Sequence, residues 1–168
     1  MMKNILCLAF AMLLVTACET TDDKIDSPRP ANAGADDGIY TDKLPELVPG
    51  TQEDLVAHVG DRVFFDYDSS ELATNAQRTL QRQAEWFKMN PSVNATVEGH
   101  CDERGTREYN LALGERRANS AKNYLVSLGV DASRLSIISY GKEYPEDPGQ
   151  SEVAWSKNRR SVTVVTNR

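Results

Sequence analysis

The sequence predicts an α+β domain over residues 51–168: a four-stranded sheet with two main helices on one face and a short third helix. Three observations carry this. Two long stretches repeat apolar residues at helical spacing. Four short stretches are β-branched, aromatic or alternate with period two. Strand and helix stretches follow one another in turn, which lays the helices on a sheet.

Taken in order, Arg62-Val63-Phe64-Phe65-Asp66 is the first strand candidate. Thr74-Asn75-Ala76-Gln77 reads as a capping box opening a helix. Ala76, Leu80, Ala84 and Phe87 follow on one face, and Asn90-Pro91 stops it. From Val93 to Asp102 the chain alternates. Val93, Ala95, Val97, Gly99 and Cys101 face one way; Asn94, Thr96, Glu98, His100 and Asp102 face the other. A second helix is expected from about Arg107 to Leu128, with Leu111, Ala118, Ala121, Leu125 and Leu128 as its core stripe and Gly129 as its stop. Arg134 to Tyr140 reads as a strand. Ser151 caps a short helix to Lys157, and Arg160 to Thr166 closes as a β-branched strand.

The chain ahead of this domain has a different character. Met1 to Ala17 carries Lys3 and then an apolar run from Ile5 to Val15. That run is shorter than the roughly 20 residues a membrane-spanning helix needs, and it has the layout of a secretory signal peptide. Leu14-Val15-Thr16-Ala17-Cys18 resembles a bacterial lipobox, which implies cleavage before Cys18 and acylation of it. Glu19, in place of the Asp typical of inner-membrane lipoproteins, points to the outer membrane. Residues 18–50 are rich in Asp, Ala, Pro, Gly and Thr, with Pro28, Pro30, Pro45 and Pro49 and no apolar period, so they read as a lipidated disordered tether. Such a tether reaches on the order of 100 Å stretched and about 30 Å relaxed.

Cysteine use agrees. Cys7 leaves with the signal and Cys18 takes lipid, which strands Cys101 without a disulfide partner. The net charge of −6 becomes −6 − 1 = −7 on side chains once Lys3 is removed, and an acidic chain has no electrostatic footprint for nucleic acid.

The stretch from Val97-Glu98-Gly99-His100-Cys101-Asp102 through Glu103-Arg104-Gly105-Thr106, then Tyr109-Asn110 and Leu113-Gly114-Glu115-Arg116-Arg117-Ala118, resembles the peptidoglycan-binding motif of OmpA-like domains. Phe65-Asp66-Tyr67-Asp68-Ser69, Ser139-Tyr140-Gly141-Lys142-Glu143 and Asn158-Arg159-Arg160 extend the likeness over residues 58–168, toward the lipoprotein members of that family. The resemblance implies an OmpA-like sandwich with a mixed sheet, no enzymatic activity and no cofactor. It implies binding of the free amino-acid end of diaminopimelate in the peptidoglycan stem peptide. By position, Asp102 and Arg117 match the family's ligand-pairing residues. Phe65, Asp66 and Tyr67 match the pocket wall, and Leu113 and Asn110 its helix side. The implied partners are peptidoglycan, outer-membrane lipid through acylated Cys18, and the β-propeller protein TolB with other Tol proteins, in envelope integrity and cell division.

The residues make chemical sense without the family. Asp102 ends a strand, and Asn110, Leu113 and Arg117 fall at i, i+3 and i+7 on the next helix. A carboxylate and a guanidinium facing one cleft suit a zwitterion. The competing reading is that Asp102 and Arg117 simply pair with each other, as exposed ion pairs worth ~0–1 kcal/mol do. Cys101, by alternation, points into the core and is expected to affect packing rather than binding. Glu98, His100 and Asp102 share a strand face, but three ligands on a flat strand converge poorly on a tetrahedral metal. A peptidoglycan hydrolase would need an activated nucleophile, and Cys101 beside Asp102 and Glu103 is a poor thiolate. Arg104, Arg107, Arg116, Arg117, Arg159 and Arg160 lie among acids and read as a solvated, mixed-charge surface. An envelope anchor without Tol partners is the remaining alternative.

Overall fold

A computed structural model describes residues 47–166; the signal peptide, Cys18 and the tether to residue 46 lie outside the described residues. The order is α1 (Gln52–His58), β1 (Arg62–Phe64), α2 (Thr74–Met89), β2 (Ala95–His100), α3 (Arg107–Ser127), a 3-10 turn (Ala132–Arg134), β3 (Leu135–Gly141), α4 (Glu152–Asn158) and β4 (Arg160–Val165). The sheet runs β1-β4-β2-β3. β4 is antiparallel to both β1 and β2, whereas β2 and β3 are parallel, with α3 making the crossover between them. The mixed four-stranded sheet expected from the sequence is therefore present.

The core lies between the sheet and the helices α2 and α3. Leu80, Ala84 and Phe87 of α2 and Ala118, Ala121 and Leu125 of α3 meet Val63, Ala95, Val97 and Leu135 of the sheet in one apolar cluster. Leu80, Phe87, Val97 and Leu125 are at most 1% exposed; burying each contributes roughly 1.5–3 kcal/mol. Leu111 and Leu128, assigned to the α3 core stripe by spacing, are only half-buried, and the buried row continues instead through Asn110, Leu113, Gly114 and Arg117. α3 ends where expected. Gly129 takes φ +97°, Val130 N donates to Leu125 O at 3.1 Å and Gly129 N to Val126 O at 2.9 Å, which closes the last turn.

Three local expectations are corrected. The Thr74–Gln77 capping box does not form: the N-cap is Ala73 and carries no side-chain bond, so Thr74 is already helical. Gln77 Nε2 instead reaches back to Leu72 O at 2.9 Å. The first strand stops at Phe64, because the chain then turns through Asp68 at φ +53°. A helix absent from the sequence reading, α1, is capped by Thr51, whose hydroxyl accepts from Asp54 N at 3.3 Å. Asp54 fastens it, accepting from Trp86 Nε1 at 2.8 Å and from Gly50 N at 2.9 Å. α4 begins as read, with Ser151 accepting from Ala154 N at 3.3 Å.

Candidate functional site

The site forms where β2 ends. The β2–β3 register shifts between Gly99 and His100, and Cys101 N donates to Gly141 O at 2.8 Å. Past this irregularity the chain leaves the sheet, and Asp102 stands at the head of the turn leading to α3. That turn is held from two sides. Asn110 Nδ2 donates to Arg104 O at 2.8 Å, and Lys142 Nζ to Gly105 O at 2.7 Å and Glu103 O at 3.1 Å. Thr106 then caps α3, accepting from Tyr109 N at 3.2 Å.

α3 comes unusually close to the sheet here. A Cβ on Gly99 would overlap the Gly114 carbonyl, and one on Gly114 would crowd Ser139 Oγ and sit 2.9 Å from Gly99 O. With no side chain between helix and strand, Arg117, one turn further along, reaches the strand end and the loop after β1. The residue is 1% exposed. Nε donates to Ser69 O at 2.8 Å, Nη1 to His100 O at 2.9 Å and Nη2 to Asp66 O at 3.0 Å. It lies 5.3 Å from the Phe65 ring centroid. Burial lowers its pKa, opposed by Cys101 and Asp102, but a guanidinium has enough margin to stay charged.

Asp102 and Arg117 do not bond to each other, so the simple structural bridge is not what the fold builds. Asp102 is 4% exposed and held by other arginines. Oδ1 accepts from Arg104 N and Nε, both at 3.1 Å. Oδ2 accepts from Arg104 Nη2 at 2.6 Å and Arg159 Nη1 at 3.4 Å. Burial alone would raise its pKa, but the Arg104 and Arg159 bonds outweigh burial and hold it below the usual carboxylate value.

A pocket of about 250 Å³ opens between these groups, lined by Asp102 and Arg117 with Asn110, Leu113, Tyr67 and Arg104. The structure thus brings together five of the seven residues expected at the site. Phe65 and Asp66 stand apart. Phe65 is buried beneath Arg117, and Asp66 contributes its backbone carbonyl to that arginine while its side chain borders a separate hollow with Phe64 and Arg159. Cys101 is corrected in part. It is buried, as alternation required, and Sγ donates to Asn110 O at 3.3 Å, yet it also lines the pocket. Burial pushes its thiol pKa up.

The solvated arginine surface is corrected as well: Arg117, Arg159 and Arg160 are all at most 7% exposed. The sequence reading also did not place Asp68, Arg104 and Tyr109 in the pocket. Tyr109 Oη donates to Asp68, which closes the rim between the β1–α2 loop and α3. The stretch Phe65-Asp66-Tyr67-Asp68-Ser69 marks that loop in the sequence, and Asp68 takes a positive φ within it. Of the metal-like trio, His100 Nε2 meets Glu98 Oε2 at 3.4 Å while Asp102 lies on its arginines. No acidic, histidine or cysteine cluster suited to a metal occurs among the described residues.

A mixed four-stranded sheet whose second strand runs into Gly-His-Cys-Asp, with a buried arginine on the helix that follows, defines an OmpA-like domain, and the OmpA family matches residues 64–159. The peptidoglycan-associated lipoprotein of Agrobacterium fabrum is 56% identical over 117 residues, which cover 70% of this chain and 66% of that protein, just under two thirds of its length. That of Mesorhizobium japonicum is 46% identical over 156 residues, 93% of this chain and 88% of its own. Among solved structures, the peptidoglycan-associated lipoprotein of Burkholderia pseudomallei superposes with TM-score 0.62 at 40% identity, covering 63% of this chain and 90% of that one. The C-terminal domain of Helicobacter pylori MotB shares the fold at 24% identity, with TM-score 0.60 over 64% of this chain and 85% of that one. The chain belongs to the OmpA family and, within it, to the peptidoglycan-associated lipoproteins.

Proposed function

We propose that this chain is an outer-membrane lipoprotein, acylated at Cys18, that holds peptidoglycan non-covalently by taking the zwitterionic end of diaminopimelate into the Asp102/Arg117 pocket. The observation that supports this most is that a buried carboxylate and a buried guanidinium, not bonded to each other, line one small cavity. Charge is costly to bury unless paired, and here both charges line an opening large enough for an amino-acid head group. A ligand carboxylate takes up N–H groups of Arg117 beyond the three already given to carbonyls, since a guanidinium has five. A ligand ammonium takes Asp102. Tyr67, 61% exposed, and Tyr109 flank the entrance. Nothing in this pocket is an activated nucleophile, and the reading is of a binding protein rather than an enzyme.

The same reading places the protein in the Tol system, with TolB as a partner that uses an overlapping surface. Exposed tyrosines beside buried arginine suit the centre of a protein interface.

The test is co-sedimentation of the full-length, detergent-solubilised protein with purified sacculi, with free diaminopimelate as competitor. Arg117→Ala is a poor probe: it strands three carbonyls and removes packing, so lost binding would not separate site from fold. Asp102→Asn keeps shape and some hydrogen bonding. It is expected to cut pelleting at least tenfold, about 1.4 kcal/mol, and also to lower stability, since it takes the counter-charge from buried Arg159. Pelleting is therefore compared at a temperature where the variant is fully folded. Pelleting equal to the unsubstituted protein would remove the pocket from the mechanism. Failure of the unsubstituted protein to co-elute with its cognate TolB would remove the Tol part alone.

A further inference from the structure

Asp102 has no vacancy for a ligand. An ionised carboxylate offers about four lone-pair positions, and all four are answered: two at Oδ1 by Arg104 N and Nε, and two at Oδ2 by Arg104 Nη2 and Arg159 Nη1. An incoming ammonium must therefore replace a donor rather than join them.

The three donor groups differ in how firmly they are held. The Arg104 backbone N–H belongs to the turn that Asn110 and Lys142 pin. Arg159 is fixed behind the site, its side chain 8% exposed, with Nε on Phe65 O at 3.1 Å and Nη2 on Glu152 Oε1 at 2.7 Å. The Arg104 side chain is different. It is 30% exposed and lies between two rings, its guanidinium carbon 4.0 Å from the Tyr67 centroid and 4.1 Å from that of Trp155. Glu152 Oε2, on a side chain 64% exposed, waits 3.9 Å from Nη2. An outward swing keeps Arg104 in the company of a carboxylate and keeps Asp102 paired with Arg159. Either of the other donors could leave only by breaking the turn or the core.

From this geometry we infer that Arg104 is an internal stand-in for the ligand's cation: its side chain holds the ammonium position on Asp102 in the empty pocket and is displaced when an α-amino-acid head group binds. This rests on the pocket reading above and deepens it. Binding becomes an exchange of one cation for another. The exchange makes single-site affinity modest, and it makes the pocket discriminate: a dicarboxylate without an amine has nothing to offer Asp102 and cannot dislodge the guanidinium. Trp155, whose Nε1 donates to Glu103 Oε1 at 3.1 Å, then reports the event because it loses the cation stacked on it.

The experiment is calorimetric titration of the full-length, detergent-solubilised protein with free diaminopimelate and with pimelate, alongside tryptophan emission. The only other tryptophan, Trp86, is buried and bonded to Asp54. Removing a competing, partly exposed ion pair is expected to tighten diaminopimelate binding by Arg104→Ala about fivefold, near 1 kcal/mol. It is also expected to abolish the ligand-induced emission change seen without the substitution. Arg104→Gln, neutral and of similar length, should behave alike and serves if the alanine variant folds poorly. Weaker or unchanged diaminopimelate binding in a folded Arg104 variant overturns the inference while the pocket reading stands. Absence of diaminopimelate binding in the unsubstituted protein overturns both.

Discussion

Asp102 and Arg117 stand out in the sequence through the resemblance to the OmpA-like motif, and strand alternation and helical spacing add only which way each side chain faces. What those periods do not say is what folds over it. Arg159 and Arg160 read as solvated together with the other arginines of the motif, yet Arg159 is spent on Phe65 O, Asp102 and Glu152, contacts that span up to 94 positions. His100 is a similar case. It sits on the strand face assigned to solvent but is 3% exposed, with its ring 5.4 Å from Tyr140. Burial first, and Arg160 next, push its pKa down from 6.5 to about 4. The folded protein thus carries fewer protons at this site than the unfolded chain between about pH 4 and 6.5. The stability of neutral His100 is full above that value and falls as pH drops toward 4, by up to about 1.4 kcal/mol per unit. Glu98, whose pKa burial raises, works the other way near the low end of this window. Urea unfolding at pH 7 and pH 5 should show the loss, and His100→Gln should flatten it. An equal loss in that variant would assign the effect elsewhere.

At the scale of elements, the long periodic segments were legible and the short ones less so. α2, α3, β2 and β4 each carry enough turns or alternations to declare their period. α1, only seven residues long, is shorter than the 11–18-residue window over which such a period can be read. Its boundary signal, Thr51 three residues before Asp54, becomes informative only once Trp86 is known to bond that aspartate. The contact that matters most for the site, Gly99 against Gly114, is invisible to any period, because a glycine in a strand and another in a helix declare nothing about each other. It predicts an inversion of the usual rule. Gly→Ala inside a helix ordinarily gains up to about 1 kcal/mol of propensity, but Gly114→Ala drives a methyl into Ser139 Oγ and the Gly99 carbonyl. Overpacking of this kind costs about 1–3 kcal/mol, and moving α3 off the sheet withdraws Arg117 from the loop it holds. Gly114→Ala should unfold at lower urea and pellet less with sacculi. A variant more stable than the parent would show that the interface relaxes without cost.

For the whole molecule, a pocket of about 250 Å³ that exchanges one cation for another supplies little affinity by itself. Firm attachment then has to come from arrangement. Under the proposed function the sacculus would repeat the same ligand many times, and a lipid at Cys18 with a tether of some thirty residues would confine many domains to face it. Effective concentration multiplies a modest single-site affinity by about 10²–10⁴ when geometry permits several engagements. The anchor, although far in sequence from the pocket, is on this view a component of binding. Replacing Cys18 by Ser, in a protein still exported and present at equal level, leaves the pocket's own affinity for diaminopimelate unchanged. Cells that depend on it should nevertheless become detergent-sensitive, since each released domain must find the wall alone and nothing links it to the membrane. Normal detergent resistance in such cells would mean that the domain acts through a soluble partner, and that membrane attachment is incidental to what the pocket does.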